Sequence, residues 1–514
     1  MKKLLILILC FVTVCCKAQM SPQTNKMTEK FFPDPAIEMS TPTFLKKKGF
    51  TTYDELIAFI NTQQSKHATI VTVSYIGKSQ NGKQIPLIHL EKKNGIENKI
   101  KVWMQGCLHG DEPASTEGLL FLLDKLLNDP EYNNLLDRLE ISIVPMANID
   151  GNAKMERVAA NGLDLNRDQT KLMAPESRYL KQAFSEFNAE VAMDFHEYQP
   201  FRKDYLQMGN YGIIPQFDVM LMYSGNLNVP LSLREYTKSR FVENATKLLD
   251  NNKLTHHDYF TSDKILGEIQ LSQGSISARS SATSYALTNA ISGLIEIRGG
   301  GLGRTSLKRR VYSTFLVAYS YLKTACDNVD EVKARIKTAI ENPNSVVVVK
   351  SSTPVLKQKL NVIDLETNNL IDIEVKISDA WQTKPTLTRP RPTAYILLPT
   401  QETLVDKLKI LGLQVQQLKT AVEVEVENYI ITEYQKDAVK TEGVFRQNTS
   451  TKTTLVKRNF TAGSYIVYMN QPKSNLAVEV LEPEAPNSFV SFSILGTTLN
   501  QEIPIYRYLA KTSL

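Results

Sequence analysis

Histidine is scarce in this chain, with six in 514 residues. Cysteine is scarcer still where a mature fold would use it. Cys10, Cys15 and Cys16 crowd the N-terminus, and only Cys107 and Cys326 follow. Two cysteines cannot make a disulfide framework, and a chain this long buries a core without one. Beyond the N-terminus no apolar run is long enough to span a bilayer, which excludes a later transmembrane helix. No excess of one charge is present either: the formal charge is +6, and it falls to +3 if residues 1–18, with three lysines and no acid, are removed. That is too mild to argue for a nucleic-acid partner or an anionic membrane surface. Internal repeats and low-complexity segments are also missing.

What is present begins with MKKLLILILCFVTVCCKA. Lys2 and Lys3 precede an apolar run over 4–14 that is too short to cross a membrane, and Ala18 is the small residue wanted before a cleavage point. Residues 1–18 therefore read as a secretory signal peptide, with export to the periplasm or outside the cell. Val12-Thr13-Val14 ahead of Cys15 and Cys16 fits a lipid-modified cysteine poorly.

Apolar strand-like runs at 70–76, 100–105, 139–146, 190–195 and 293–297 alternate with helical patterns at 114–127, 177–187 and 311–324. Pro113 stands at a first-turn position of the first helix. Strands alternating with helices predict an α/β sheet covered on both faces. After about residue 342 the texture changes to short apolar segments separated by Pro, Asn, Gly and Thr. Strands are expected at 345–349, 359–363, 371–377, 393–398, 421–429, 463–469 and 476–481, with one helix at 402–412. The expected organisation is a catalytic domain over 19–335 and a β-rich, sandwich-like region over 343–514.

Two of the six histidines occupy informative settings. His109 and Glu112 stand three apart in QGCLHGDE, directly after a strand-like run, and His196 ends another in VAMDFHEYQ. Catalytic zinc takes three protein ligands and keeps a fourth position open. Two imidazoles and one carboxylate from separate segments meet that need, and open α/β sheets gather ligands at the carboxyl edge of their strands. Cys107, two residues before His109, reads as a small buried residue at a strand end.

Around these residues the chain resembles the M14 zinc metallocarboxypeptidases, over about residues 51–325 and in family order. Residues 77–85 follow the family's entry pattern. His109-Gly-Asp-Glu112 resembles the first metal motif and Asp194-Phe-His196 the second. Asn148-Ile-Asp-Gly151 and Gly162-Leu-Asp-Leu-Asn-Arg167 match two signature segments, and Leu294-Ile-Glu296-Ile-Arg298 looks like the strand bearing the catalytic glutamate. The resemblance implies a mixed eight-stranded-type sheet flanked by helices and one Zn²⁺ per chain on His109, Glu112 and His196. It implies Glu296 as general base and acid toward a polarised water, and Arg157 as the cation for a developing oxyanion. Asn166 and Arg167 would grip a terminal carboxylate, Arg167 bidentately. Asp164 would hold a metal-ligating histidine from behind.

The family's mobile tyrosine falls near Ile269 here, where the chain has no tyrosine, and Tyr285 follows further on. Ile276 aligns near the floor of the specificity pocket, suggesting an apolar terminal side chain, while Arg279 would favour an acidic one. His256-His257 read as an exposed loop, Gly299–Gly303 as a flexible turn, and Lys308-Arg309-Arg310 as a solvated helix face. The expected activity is hydrolysis of C-terminal peptide bonds, with a peptide or small amide bearing a free carboxylate as substrate. Deacylation of N-acyl amino acids or cleavage of cell-wall peptides on the same fold stays open. So does a silent binding module, which the presence of both histidines and both glutamates disfavours. Oligomeric state is not legible.

Overall fold

A computed structural model describes residues 23–514, so the expected signal peptide lies outside the described residues. Among those described, no helix is long and apolar enough to cross a membrane.

The centre of the fold is a mixed eight-stranded sheet. Strand Ile100–Gly106 is buried on both faces and pairs in parallel with Leu139–Val144 on one side and Val191–Tyr198 on the other. Val191–Tyr198 then pairs in parallel with Ile291–Arg298. Antiparallel strands extend both flanks: the hairpin of Val71–Lys78 and Gln84–Leu90 at one side, Val219–Met222 at the other, with His256–Asp258 beyond it.

Alternation along Ile100–Gly106 shows what covers each face. Even-numbered positions face helix Pro113–Asn128, where a Cβ on Gly106 would come within 2.9 Å of Leu119. Trp103 points the other way and meets Phe184 of helix Pro175–Phe187 edge-on at 5.9 Å. Helix Leu307–Asp327 packs against Pro113–Asn128 through Gly118, whose missing Cβ leaves room for Thr314, and through the Phe121–Phe315 ring pair. Apolar positions at helical spacing meeting a two-faced sheet give the mixed α/β layering that the sequence implied.

The C-terminal region is β-rich, as expected, and it contributes in two ways. Strands Val355–Asp364 and Leu370–Asp379 form a hairpin inserted into a five-stranded sheet otherwise made by earlier residues: Ile213–Pro215 on one edge, Glu268–Gln273 and Phe260–Ile265 on the other. The remainder builds a six-stranded sheet around Ala394–Leu397, Ile505–Tyr508 and the long hairpin of Val422–Lys436 with Gln447–Phe460. One face of that sheet, with Tyr395, Leu397, Tyr429 and Val467, packs on helices Glu402–Ile410 and Ser474–Leu481, so helix and sheet are the layers.

Four local readings change. The run expected as a strand at 476–481 is the helix Ser474–Leu481, buried along its whole length. A short run apolar on every side carries no period to tell the two apart. Gln447–Phe460, rich in Thr, Lys and Asn, is a strand although it has no apolar pattern, because it forms the sheet's edge. His256 and His257 lie in an edge strand, half-buried, with His257 tilted over Phe217 at 4.6 Å. The basic run is only partly solvated: Arg309 grips Asp218 through Nε and Nη2, and Arg310 is buried against Glu197.

Candidate active site

Three chain segments meet at the carboxyl edge of the parallel strands. Strand Ile100–Gly106 ends on a left-handed Cys107 (φ 54°), which turns the chain so that His109 and Glu112 precede helix Pro113–Asn128. Cys107 is fully buried, with its thiol pKa pushed far up by burial, and is inert there. His196 lies two residues from the end of Val191–Tyr198, and Glu296 two residues from the end of Ile291–Arg298. The two are direct partners in the parallel register, so both side chains leave the same face.

His109 Nδ1 lies 2.8 Å from Glu112 Oε1, His196 Nδ1 lies 2.8 Å from Glu112 Oε2, and the two Nδ1 atoms are 3.1 Å apart. The opposite nitrogens turn outward: His109 Nε2 to Asp164 at 3.1 Å and His196 Nε2 to Asp194 at 2.8 Å. A neutral ring that gives its Nε2 proton to a carboxylate leaves a bare lone pair on Nδ1. Two such lone pairs and a carboxylate directed at one point form an arrangement that a cation relieves. In a tetrahedral zinc site with bonds of about 2.0–2.1 Å the ligand atoms stand roughly 3.3 Å apart, near the spacings seen here. His109, Glu112 and His196 are also the group of described residues whose ligand atoms could together hold a metal ion.

The electrostatics agree. Burial opposes charge on both imidazoles, yet Asp194 and Glu112 pull His196 well above its ordinary pKa, and Glu112 and Asp164 raise His109. Glu112, although buried, is held well below the usual carboxylate range by His109 and His196, and the half-buried Asp164 likewise by His109 and Arg157. The field at this spot therefore calls for positive charge. Glu296 is different: burial, with the Glu112 charge nearby, pushes it up to about 7. Its Oε2 has no hydrogen-bond partner. Arg298, the ion-pair partner that would have made Glu296 structural, instead donates to the Pro215 carbonyl and to Gln23.

A cavity of about 690 Å³ opens over this constellation, lined by His109, Glu112, Arg157, Asn166, Arg167 and Glu296 among others. Arg157 donates through Nε and Nη2 to Asp164 and lies 3.6 Å from Glu112. Asn166 is oriented by the Ser281 N–H, which donates to its Oδ1 at 2.8 Å, and Arg167 follows on the short helical turn Leu165–Arg167. All eight candidate residues thus fall in or directly behind one site.

Other residues take places that sequence reasoning did not assign. Asp194, which backs His196, was visible only as part of a motif. Ser281 donates through Oγ to Asp194 as well as through N–H to Asn166, and Glu197 ties the helix start to Arg310. Gly299 belongs to this packing, since a Cβ there would sit 1.6 Å from Glu197 Oε1, so that turn is a close-packed one. Tyr285 is buried in the core with its hydroxyl on Gln105, away from the cavity; Tyr198, Tyr205 and Tyr259 are the tyrosines that line it. Ile276 faces a separate, smaller cavity, whereas Arg279 lines both.

Comparison with known proteins gives the class. The zinc carboxypeptidase family model matches residues 56–292. Carboxypeptidase 2 of Trichophyton equinum is 30% identical over 447 residues, spanning 84% of this chain and 81% of that protein, and Carboxypeptidase 2 of Trichophyton rubrum is 29% identical over the same shares. A metallo-carboxypeptidase from Burkholderia cenocepacia overlaps 54% of this chain and 70% of its own at 17% identity, with a TM-score of 0.43. The chain belongs to the zinc carboxypeptidase family and is a zinc metallocarboxypeptidase. An alignment over 84% of the chain must extend into the β-rich region, so at least part of that region is shared with these relatives.

Proposed function

We propose that this enzyme is exported and removes the last residue of peptides, with His109, Glu112 and His196 holding one zinc ion and Glu296 serving as general base and acid. The supporting observation is the in-register pairing of His196 with Glu296, which lines the same cavity as Asn166 and Arg167. Zinc held there supplies Lewis acidity toward the scissile carbonyl and a water.

The residues of the chain do the rest. Arg167, with Asn166, grips the terminal carboxylate, which restricts cleavage to the chain end. Glu296 takes the proton of the attacking water on its carboxylate and returns it to the leaving amine. A carboxyl raised by burial suits both halves of that transfer better than an exposed one. Arg157, anchored on Asp164, offers its remaining donor to the developing oxyanion. Asp164 and Asp194 keep both imidazoles in the tautomer that presents Nδ1. Export rests on the basic, apolar and small-residue pattern of residues 2–18.

Hydrolysis of a panel of blocked dipeptides by the purified protein and by Glu296→Gln, with zinc quantified in both, tests this reading. Zinc near one per chain in both, with turnover lost only in the variant, is expected. Zinc without turnover of any peptide would transfer the reading to N-acyl amino acids or wall peptides, and a zinc-free active enzyme would sink it.

A further inference from the structure

The rim of the cavity carries a charge arrangement that the reaction itself does not need. Past Asn166 and Arg167, Lys171 and Arg279 converge on one carboxylate, Glu442, at the tip of the long C-terminal hairpin. Lys171 is buried and its Nζ lies 2.6 Å from Glu442 Oε2. Arg279 gives only Nη1 to Glu442, and its side chain, about a quarter exposed, lines the cavity. Arg446 joins them: the cations of Lys171, Arg446 and Arg279 lie 4.7, 5.0 and 5.8 Å from the ring centroid of Phe492.

Two cations therefore share one acid, with Arg446 over the same ring and donating instead to the Pro486 carbonyl and the Ser491 hydroxyl. Glu442 reaches them from a left-handed backbone (φ 53°) followed by Gly443 (φ 84°), a turn that side-chain-bearing residues rarely adopt. The Arg279 carbonyl accepts from the Gln169 N–H, which ties its backbone to the segment carrying Arg167. A substrate whose terminal carboxylate rests on Asn166 and Arg167 would bring its last side chain into reach of Arg279. Met222 and Leu294 line the cavity as well and suit the aliphatic part of that side chain.

We infer that Arg279 is a specificity-determining residue that selects an acidic over a basic side chain at the substrate's C-terminus, with Glu442 of the C-terminal hairpin as a built-in competitor for the same guanidinium. The inference rests on the carboxypeptidase reading of the cavity. Attraction to one charge and repulsion of the other both act at a partly desolvated site, so discrimination comes from the two together.

Initial rates on blocked dipeptides ending in glutamate, leucine or lysine test it. The wild type is expected to show kcat/KM at least tenfold higher for glutamate than for lysine. Arg279→Gln should collapse that ratio toward one, and Glu442→Gln should widen it severalfold. Lysine turned over as well as glutamate by the wild type, or a ratio unmoved in Arg279→Gln, would overturn the inference. Leucine turnover reports the underlying reading separately. If no dipeptide is cleaved, calorimetric binding of N-acetyl-glutamate and N-acetyl-lysine to the wild type and Arg279→Gln decides the same question: equal affinities in the wild type overturn it.

Discussion

Replacing Asp194 tests the assignment of Nδ1 as the metal-facing nitrogen. Asp194 Oδ2 accepts from His196 Nε2 at 2.8 Å and from the Ser281 hydroxyl, while its Oδ1 has no partner. Asn in its place keeps one oxygen for both donors and sets its amide where Oδ1 stood, so geometry survives and only the charge is lost. Ala removes the acceptor and leaves His196 free to carry its proton on Nδ1, where the metal must bind. Loss of such an outer partner costs about 10–100-fold in metal affinity. Asp194→Asn should therefore fall near the tenfold end, about 1.4 kcal/mol, and Asp194→Ala near a hundredfold, about 2.8 kcal/mol. Competition for zinc with a chromogenic chelator measures both, and thermal melting of the metal-free proteins checks that they fold. Wild-type zinc affinity in both variants would refute the reasoning, since Nε2 could then not be tied to a carboxylate while Nδ1 binds.

Further expectations concern pH and the C-terminal region. A general base must be ionised, so kcat/KM should fall as pH drops through the Glu296 pKa; burial raises it to about 7 in the metal-free chain, and a nearby dication lowers it, which places the acid limb below pH 7. A kcat/KM flat from pH 5 to 8 would count against Glu296. Glu117 is buried with its pKa pushed up to about 7, accepting from the Thr51 N–H and hydroxyl. The folded state keeps a proton that the unfolded chain gives up above about 4.5, so this contribution is full below pH 4.5 and lost as pH rises through 7. Glu117→Gln, which can accept from the N–H and donate to the hydroxyl, should gain up to about 3 kcal/mol over the wild type at pH 8.5 and little at pH 4.5; equal melting differences at the two pH values would refute this. A chain ending at residue 342 loses two of the five strands that back Phe260 and Leu271, and it should be inactive and melt well below the full chain; full activity would show that the site stands without them.

The parts of this site legible in the sequence are those whose cause is local. Apolar runs ending on a strand, followed by His109 or containing His196 and Glu296, carry their own period, and Pro113 marks the helix that starts after Glu112. The illegible parts are set by partners far along the chain. Nothing near Arg310 shows that Glu197, 113 residues earlier, will bury it, and nothing near Asp218 shows that it meets Arg309. Tyr259 reaches the cavity because Val219–Met222 pairs with Ile291–Arg298 and its Leu221 carbonyl holds the Tyr259 N–H. Glu442 is an unremarkable residue in a polar turn until a hairpin of 14 and 15 residues carries it to the catalytic rim.

That contrast bears on what the β-rich region does. Strand Leu370–Asp379 pairs in parallel with Glu268–Gln273, and the residues just before and after the Phe260–Gln273 hairpin, Tyr259, Gly274 and Ser275, line the cavity. One wall of the active site is thus backed by a strand whose register partners lie more than 100 residues further along the chain, such as Ile377 opposite Leu271, and Glu442 makes a second contact at Arg279. Helix Pro175–Phe187 is pinned from the same side, with Ser185 donating to the Ile410 carbonyl and Lys473 to the Ser185 carbonyl. A region attached at three such places braces the cavity from behind, since every lining residue lies within 109–300. The metal ligands are arranged by the parallel sheet, whose register alone puts His196 beside Glu296. The cavity is therefore lined by residues of 109–300 alone, while the β-rich region supports one wall from behind and, through Glu442, holds Arg279 at the rim.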